Sequence, residues 1–170
     1  MNIQRVDASR YFILYHFGGV YADLDYEILT NDLWYYLPTN KVGLVESPYL
    51  YNELVQNSFM SSPVNSEFWP LVFDTLERNK HSGVLKSTGP GMLTDVIRTA
   101  SPSLWRVLDC ENFQRLPYGE WKGNKFVNVL GREVLSRLYP MKSCGDFNNI
   151  MNCHLGKHHG SASWTNEALV

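Results

Sequence analysis

The sequence predicts a single mixed α/β unit, and three observations carry that prediction. A helix-like pattern over residues 3 to about 17 gives way at Gly18-Gly19 to the short apolar run Val20-Tyr21-Ala22, so the period changes within one turn of chain. Two more strand candidates, Lys41 to Glu46 and Leu54 to Met60, precede an amphipathic helix. The 170 residues, 44% hydrophobic and 19% charged, suit one domain with its own core. No repeat, linker or low-complexity segment interrupts them, so residues 1–170 read as one unit.

The first helix places Ile3, Val6, Ile13 and Phe17 on one stripe. Arg10 falls in that stripe with Asp7 beside it, so the apolar face carries a charge that needs a partner. Gly18-Gly19 ends the helix, because glycine accepts left-handed backbone at little cost. Leu33 to Leu37 reads as a helical turn halted before Pro38. Ser66 to Asn79 reads as the amphipathic helix, with Ser66 as N-cap and Pro70 tolerated in the first turn. Thr88-Gly89-Pro90-Gly91 leads into a helix over Met92 to Thr99, with Pro90 near its start. Leu104 to Leu108 and Phe126 to Val129 read as strands, and Val134 to Tyr139 fits either element. From Ser143 onward the chain reads as loop. Trp34, Trp69, Trp105 and Trp121 read as core side chains.

Composition excludes several classes. A formal net charge of -2, without a Lys/Arg-rich run, gives no footprint for nucleic acid. No apolar stretch approaches the roughly 20 residues a membrane helix needs. The N-terminus lacks the basic-then-apolar pattern of a signal peptide. Cys110, Cys144 and Cys153 are too few and too odd in number for a disulfide framework; one bridge or three thiols both fit.

The chemistry concentrates in Gly18 to Asp25. On an extended strand Asp23 and Asp25 would share one side and Leu24 the other. Two carboxylates on one face need a cation or donors between them, and a hard divalent cation that also grips phosphate oxygens meets that need. Asp7 and Arg10 lie one helical turn apart, and the Gly-Gly turn can fold that helix against the strand. Arg10 would then offer planar donors to phosphate or hydroxyl oxygens; the plainer alternative is an intrahelical Asp7–Arg10 ion pair. A zinc reading of Cys144, Cys153, His154, His158 and His159 lacks the close C-x2–4-C spacing. Gly83 to Thr88 has Leu85 before its lysine and fails as a phosphate loop.

The segment Ile3 to Asp25 resembles the DXD sugar-binding region of a retaining glycosyltransferase family. That family includes initiating α-1,6-mannosyltransferases and the inositol-phosphorylceramide mannosyltransferases. Ser87-Thr88-Gly89-Pro90 before Leu93-Thr94, and His158-His159 with Ser163-Trp164, agree with the same family. The resemblance implies a GT-A fold, Rossmann-like, with Mn²⁺ or Mg²⁺ and a nucleotide-sugar donor. It makes Asp25 the direct metal ligand and Asp23 a contact to the donor that helps hold the metal. Asp7 and Arg10 would bind hydroxyls of the transferred sugar, and Tyr21 would lie along the nucleotide. His158 or His159 would complete the metal shell, while Trp164 with Ser161 or Ser163 would donate to the β-phosphate.

The expected activity is retaining transfer of mannose from GDP-mannose to a glycan or glycolipid acceptor such as inositol phosphorylceramide, in the Golgi lumen. A UDP-sugar donor, or a non-catalytic module that binds nucleotide-sugar, are the alternatives. Members of the family begin with a strand–helix–strand unit that grips the base. This sequence starts almost on the sugar-binding helix, so the first βαβ unit is expected to be missing. That would leave a sheet edge open to homodimer formation.

Overall fold

The computed structural model describes residues 2–47, 53–109, 113 and 155–158. The expected strand at 126–129, the helix-or-strand segment at 134–139, the three cysteines, His154 and Trp121 lie outside these residues. Along the chain run α1 (Asn2–Phe17), β1 (Gly19–Ala22), β2 (Tyr26–Ile28), α2 (Leu33–Tyr36), β3 (Val42–Glu46) and β4 (Val55–Ser62). Then follow α3 (Phe68–Asn79), α4 (Val84–Ser87), α5 (Pro90–Thr99), β5 (Trp105–Leu108) and β6 (Gly156–His158). The main sheet has the order β1-β4-β3-β5, antiparallel except for the parallel β3–β5 pair. Strands β2 and β6 form a separate antiparallel pair. The architecture is α/β, as the sequence predicts.

Alternation along the strands sorts the core onto two faces. Leu44 and Met60 pack with Tyr11, Leu14, Trp69, Leu93 and Ile97, beneath α1, α3 and α5. Their neighbours Val45 and Phe59 pack on the other face with Leu33, Leu108, Phe113 and Leu155. Trp69 and Trp105 are buried as expected, but Trp34 is half exposed and is not a core residue.

Helix α1 departs from the expected packing. Val6, Ile13 and Phe17 are 52%, 50% and 71% exposed, whereas Asp7, Arg10, Tyr11 and Leu14 are buried. The inward face therefore runs 7, 10, 11, 14, rotated away from the apolar stripe. Tyr11 stacked on Trp69 at 5.7 Å and Leu14 supply its apolar anchor. Asp7 and Arg10 are admitted because each finds charged and hydrogen-bonding partners inside.

The stop after α1 is sterically enforced. Gly18 adopts φ +64° and donates its N–H to Leu14 O at 2.9 Å. A Cβ on Gly18 would lie 2.8 Å from Val64 N and 3.0 Å from Ser62 O, while one on Gly19 (φ +87°) would meet nothing within 4 Å. Gly18→Ala is therefore expected to destabilise by about 2–3 kcal/mol and Gly19→Ala by only about 1 kcal/mol, measured as urea midpoints. Equal losses would show that the crowding at Gly18 is relieved without cost.

Other boundaries shift slightly. Helix α3 begins at Phe68, and the Ser66 hydroxyl accepts the Phe68 N–H at 3.4 Å. Helix α5 begins at Pro90, its first residue, after Gly89 as N-cap. Strands β2 and β6 and helix α4 are found where no element was expected. Each is three or four residues long, too short to show a period.

Candidate functional site

Three backbone features converge on one place. The first is the buried face of α1. The second is the end of β1, where the chain leaves the sheet after Ala22 and Tyr26 N–H closes a turn onto Asp23 O at 2.9 Å. The third is an irregularity in β4. Leu44 pairs with Met60 but Glu46 pairs with Val55, so Val45 faces four residues, Gln56 to Phe59. Toward β1 the ladder continues, with Ala22 opposite Phe59 and Asp23 N–H donating to Ser58 O at 2.8 Å. The bulge breaks the two-residue alternation and turns both the Asn57 side chain and its carbonyl toward α1.

Arg10 is the hub. Its Nη2 meets Asp7 Oδ1 at 2.8 Å, and its Nη1 meets Asp23 Oδ1 at 2.9 Å and Asn57 O at 2.9 Å. The guanidinium lies over the Tyr21 ring, 4.6 Å from its centroid. Tyr21 O–H donates to Asp23 Oδ1 at 2.7 Å. Asn57 Nδ2 donates to Asp7 Oδ1 at 3.2 Å and to Tyr11 Oη at 3.1 Å. Thr88 Oγ1 donates to Asp7 Oδ2 at 3.1 Å, and Tyr11 O–H donates to Thr88 O at 2.6 Å. Arg10 Nε is buried and has no hydrogen-bond partner among the described residues.

Burial pushes the Asp7 carboxyl above its ordinary range, and the nearby Asp23 charge adds to this. The Arg10 charge and the bonds from Thr88 and Asn57 oppose it. Burial likewise raises both phenols. At Tyr11 the Asp7 charge reinforces it, and at Tyr21 the bond to Asp23 does. Both tyrosines therefore act as O–H donors throughout the physiological range.

The predicted residues fall into two groups. Asp7, Arg10, Tyr21 and Asp23 are brought into one contiguous array, so the intrahelical ion pair and the helix-to-strand contact coexist. Asp23 and Asp25 do not share a strand face by alternation. Asp23 lies past the end of β1, and Leu24 and Asp25 form the turn, with Leu24 fully exposed and Asp25 half-buried. The β-turn closes because Tyr26 must re-enter extended structure to pair with β6. The His158 backbone pairs with Tyr26, one residue from Asp25, so the late segment does return to the DXD turn. His159, Ser161, Ser163 and Trp164 lie outside the described residues. Among the described residues no group of three or more His, Cys, Asp or Glu could by itself hold a metal ion.

Asn57, Thr88 and Tyr11 are members of the array that sequence reasoning missed. A signal existed for Asn57, because Gln56-Asn57-Ser58 is a polar run inside an otherwise apolar strand candidate. Thr88 sat in a noted block, but nothing local aimed it at Asp7.

The return of β6 depends on a glycine. A Cβ on Gly156 would collide with the Tyr26 hydroxyl and lie 2.5 Å from its Cζ; that ring stacks on Phe59 at 4.6 Å, and its O–H donates to Phe113 O. Gly156→Ala is expected to cost about 1–3 kcal/mol through overpacking and to speed amide exchange at Tyr26 to Ile28. Unchanged exchange there would mean that the ring yields freely.

Residues 1–43 match the family described as "Glycosyltransferase sugar-binding region containing DXD motif". The chain is 34% identical over 98 residues to inositol phosphoceramide mannosyltransferase 2 of Schizosaccharomyces pombe, covering 52% of this chain and 26% of that protein. It is 30% identical over 142 residues to lactosylceramide 4-alpha-galactosyltransferase of Mus musculus, covering 78% of this chain and 37% of that protein. The match thus spans between a quarter and two fifths of the length of these relatives. Among solved structures, the PaToxG glycosyltransferase is similar at 18% identity and a TM-score of 0.48, over 82% of this chain and 46% of that one. The matched residues 1–43 hold the α1 side of the Asp7–Arg10–Asp23 array and the Asp23-Leu24-Asp25 turn, so the array and the family match fall on the same part of the chain.

Proposed function

We propose that this chain forms the donor-sugar site of a metal-dependent retaining glycosyltransferase with a GT-A-type fold, transferring mannose from GDP-mannose to a glycan or inositol-phosphorylceramide-like acceptor. The observation that carries the reading is the buried array in which one guanidinium joins Asp7 on the helix to Asp23 at the DXD turn. Breaking a glycosyl–phosphate bond builds negative charge on the leaving diphosphate and positive charge on the sugar. Arg10, pre-oriented and shielded from water, can stabilise the first. Asp7 and Asp23 can accept hydrogen bonds from sugar hydroxyls, and the Tyr21 ring offers a flat apolar edge to the nucleotide.

The oxygen donors Asp23 and Asp25 suit a hard divalent ion such as Mn²⁺ or Mg²⁺. When bound, that ion would supply Lewis-acid stabilisation of the diphosphate oxygens. His158 or His159 joins this shell, and Trp164 with Ser161 or Ser163 joins the diphosphate, by family resemblance. The acceptor hydroxyl enters on the face the nucleotide leaves. The mannosyltransferase relative favours GDP-mannose, and the galactosyltransferase relative supports UDP-galactose as the second donor to try. By family resemblance, the proposed site of action is the Golgi lumen. Among the described residues no helix is long and apolar enough to cross a membrane.

The test is donor turnover by the full chain with Mn²⁺ and GDP-mannose or UDP-galactose, followed as nucleotide release and sugar transfer, beside calorimetry of the same donors. GDP-mannose turnover is the expected result. Binding without turnover would replace the enzyme with a nucleotide-sugar-binding module, and absence of both would end the reading.

A further inference from the structure

Asp7 is a buried carboxylate whose two oxygens are held by donors from three separate parts of the chain. Oδ1 takes Arg10 Nη2 and Asn57 Nδ2; Oδ2 takes Thr88 Oγ1. Neutralising an ion pair needs only Arg10. Two further neutral donors, 50 and 81 residues away in sequence, do something more: they fix the plane and tilt of the carboxyl group.

Thr88 is itself rigidly placed. It ends α4 with its N–H on Val84 O at 3.0 Å, its carbonyl takes the Tyr11 O–H, and Gly89 follows as N-cap of α5. The backbone is packed too closely here for side chains on either glycine. A Cβ on Gly89 would lie 3.0 Å from Leu85 Cα, and one on Gly91 2.9 Å from Leu85 O. Ser87 accepts Gln4 Nε2 at 2.7 Å one residue earlier, and Thr94 accepts Leu54 N–H at 2.8 Å further along, inside α5. The Ser87-to-Thr94 block thus clamps α1 to the start of β4, with the Thr88 hydroxyl at its centre. That hydroxyl has one proton and two acceptors within reach, Asp7 Oδ2 at 3.1 Å and Val84 O at 3.4 Å. The shorter contact, to an anion, takes it.

We infer that Thr88, with Asn57, is a positioning residue for the donor sugar: its hydroxyl orients the Asp7 carboxylate so that the remaining lone pair on Oδ2 meets a sugar hydroxyl. The inference rests on the donor-site reading above and goes beyond it by assigning sugar recognition to a residue outside the DXD region. It also separates two halves of the donor. The diphosphate is left to Arg10 and to the ion that the DXD turn would hold, neither of which Thr88 touches, while the sugar is read through Asp7 together with Asp23.

The experiment compares Thr88→Val and Thr88→Ser with the unaltered full chain, in Mn²⁺, by calorimetry with GDP-mannose and with GDP alone, and by thermal melting. Thr88→Val is expected to weaken GDP-mannose binding about tenfold, to leave GDP binding within about twofold, and to be rescued by Thr88→Ser. Equal weakening of GDP and GDP-mannose would make Thr88 a structural staple and overturn the inference. Equal loss in the Val and Ser variants would overturn it too, since the hydroxyl would then be irrelevant. If the unaltered chain binds neither GDP-mannose nor UDP-galactose, the donor-site reading fails first, and the inference with it.

Discussion

Arg10→Met is expected to lower the stability of this protein by about 3–5 kcal/mol, enough to unfold many domains of this size. Arg10 is 5% exposed and joins a carboxylate that is equally buried to one at the rim of the site. Removing the guanidinium leaves the desolvated Asp7 carboxylate with, among the described residues, only the Thr88 and Asn57 donors. The Asn57 carbonyl loses its donor in the same step. Cutting one partner of a buried pair costs far more than replacing the whole pair, so the double variant Arg10→Met with Asp7→Asn should regain a large part of the loss. Urea denaturation of the three proteins measures this directly. A single-variant loss below about 1 kcal/mol would mean the array behaves as a solvated surface pair. Arg10→Lys should be intermediate, because one ammonium cannot reproduce the planar fork that reaches Asp7, Asp23 and Asn57 together.

Asp25→Ala is expected to abolish most of the proposed transfer, by about 100-fold or more in rate, with a smaller loss of stability than Arg10→Met. Asp25 stands in a turn, half-buried, beside the fully exposed Leu24, and belongs to neither core cluster. Asp23→Asn makes an informative partner, since Asp23 also accepts from Arg10 and Tyr21. It should reduce both rate and stability, whereas Asp25→Ala should act mainly on the rate. Manganese binding followed by electron paramagnetic resonance separates a lost metal ligand from a lost donor contact. If Asp25→Ala keeps the rate within about threefold, Asp25 does not hold the ion on which transfer depends.

Much of this organisation is legible locally. The α1 stop at Gly18-Gly19, the strand that follows, the start of α5 at Pro90 and the one-turn spacing of Asp7 and Arg10 all follow from constraints within a few residues. So does the identity of the carboxylates. The face of α1 that turns inward is not legible in this way. Apolar periodicity chose Val6, Ile13 and Phe17, but the structure buries Asp7, Arg10, Tyr11 and Leu14. Hydropathy assigns Asp7 and Arg10 only the cost of losing water. It cannot see the partners that offset that cost. The relation of Asp23 to Asp25 escapes local reading for a similar reason: alternation holds only while the strand lasts, and β1 ends at Ala22, three residues short of Asp25.

The sequence by itself determined the α/β class, the helix–glycine–strand unit and the residue types that can carry diphosphate and sugar chemistry. These depend on backbone sterics and on spacings of four residues or fewer. Tertiary structure alone decided that Asn57 and Thr88 converge on Asp7, through a bulge in β4 and a glycine-tight junction between α4 and α5. It also decided that Gly156 to His158 pair with Tyr26 to Ile28 beside the DXD turn. Convergence across 50 to 130 residues depends on register, packing depth and the partner each buried polar group finds, and none of these has a period that a single chain can display.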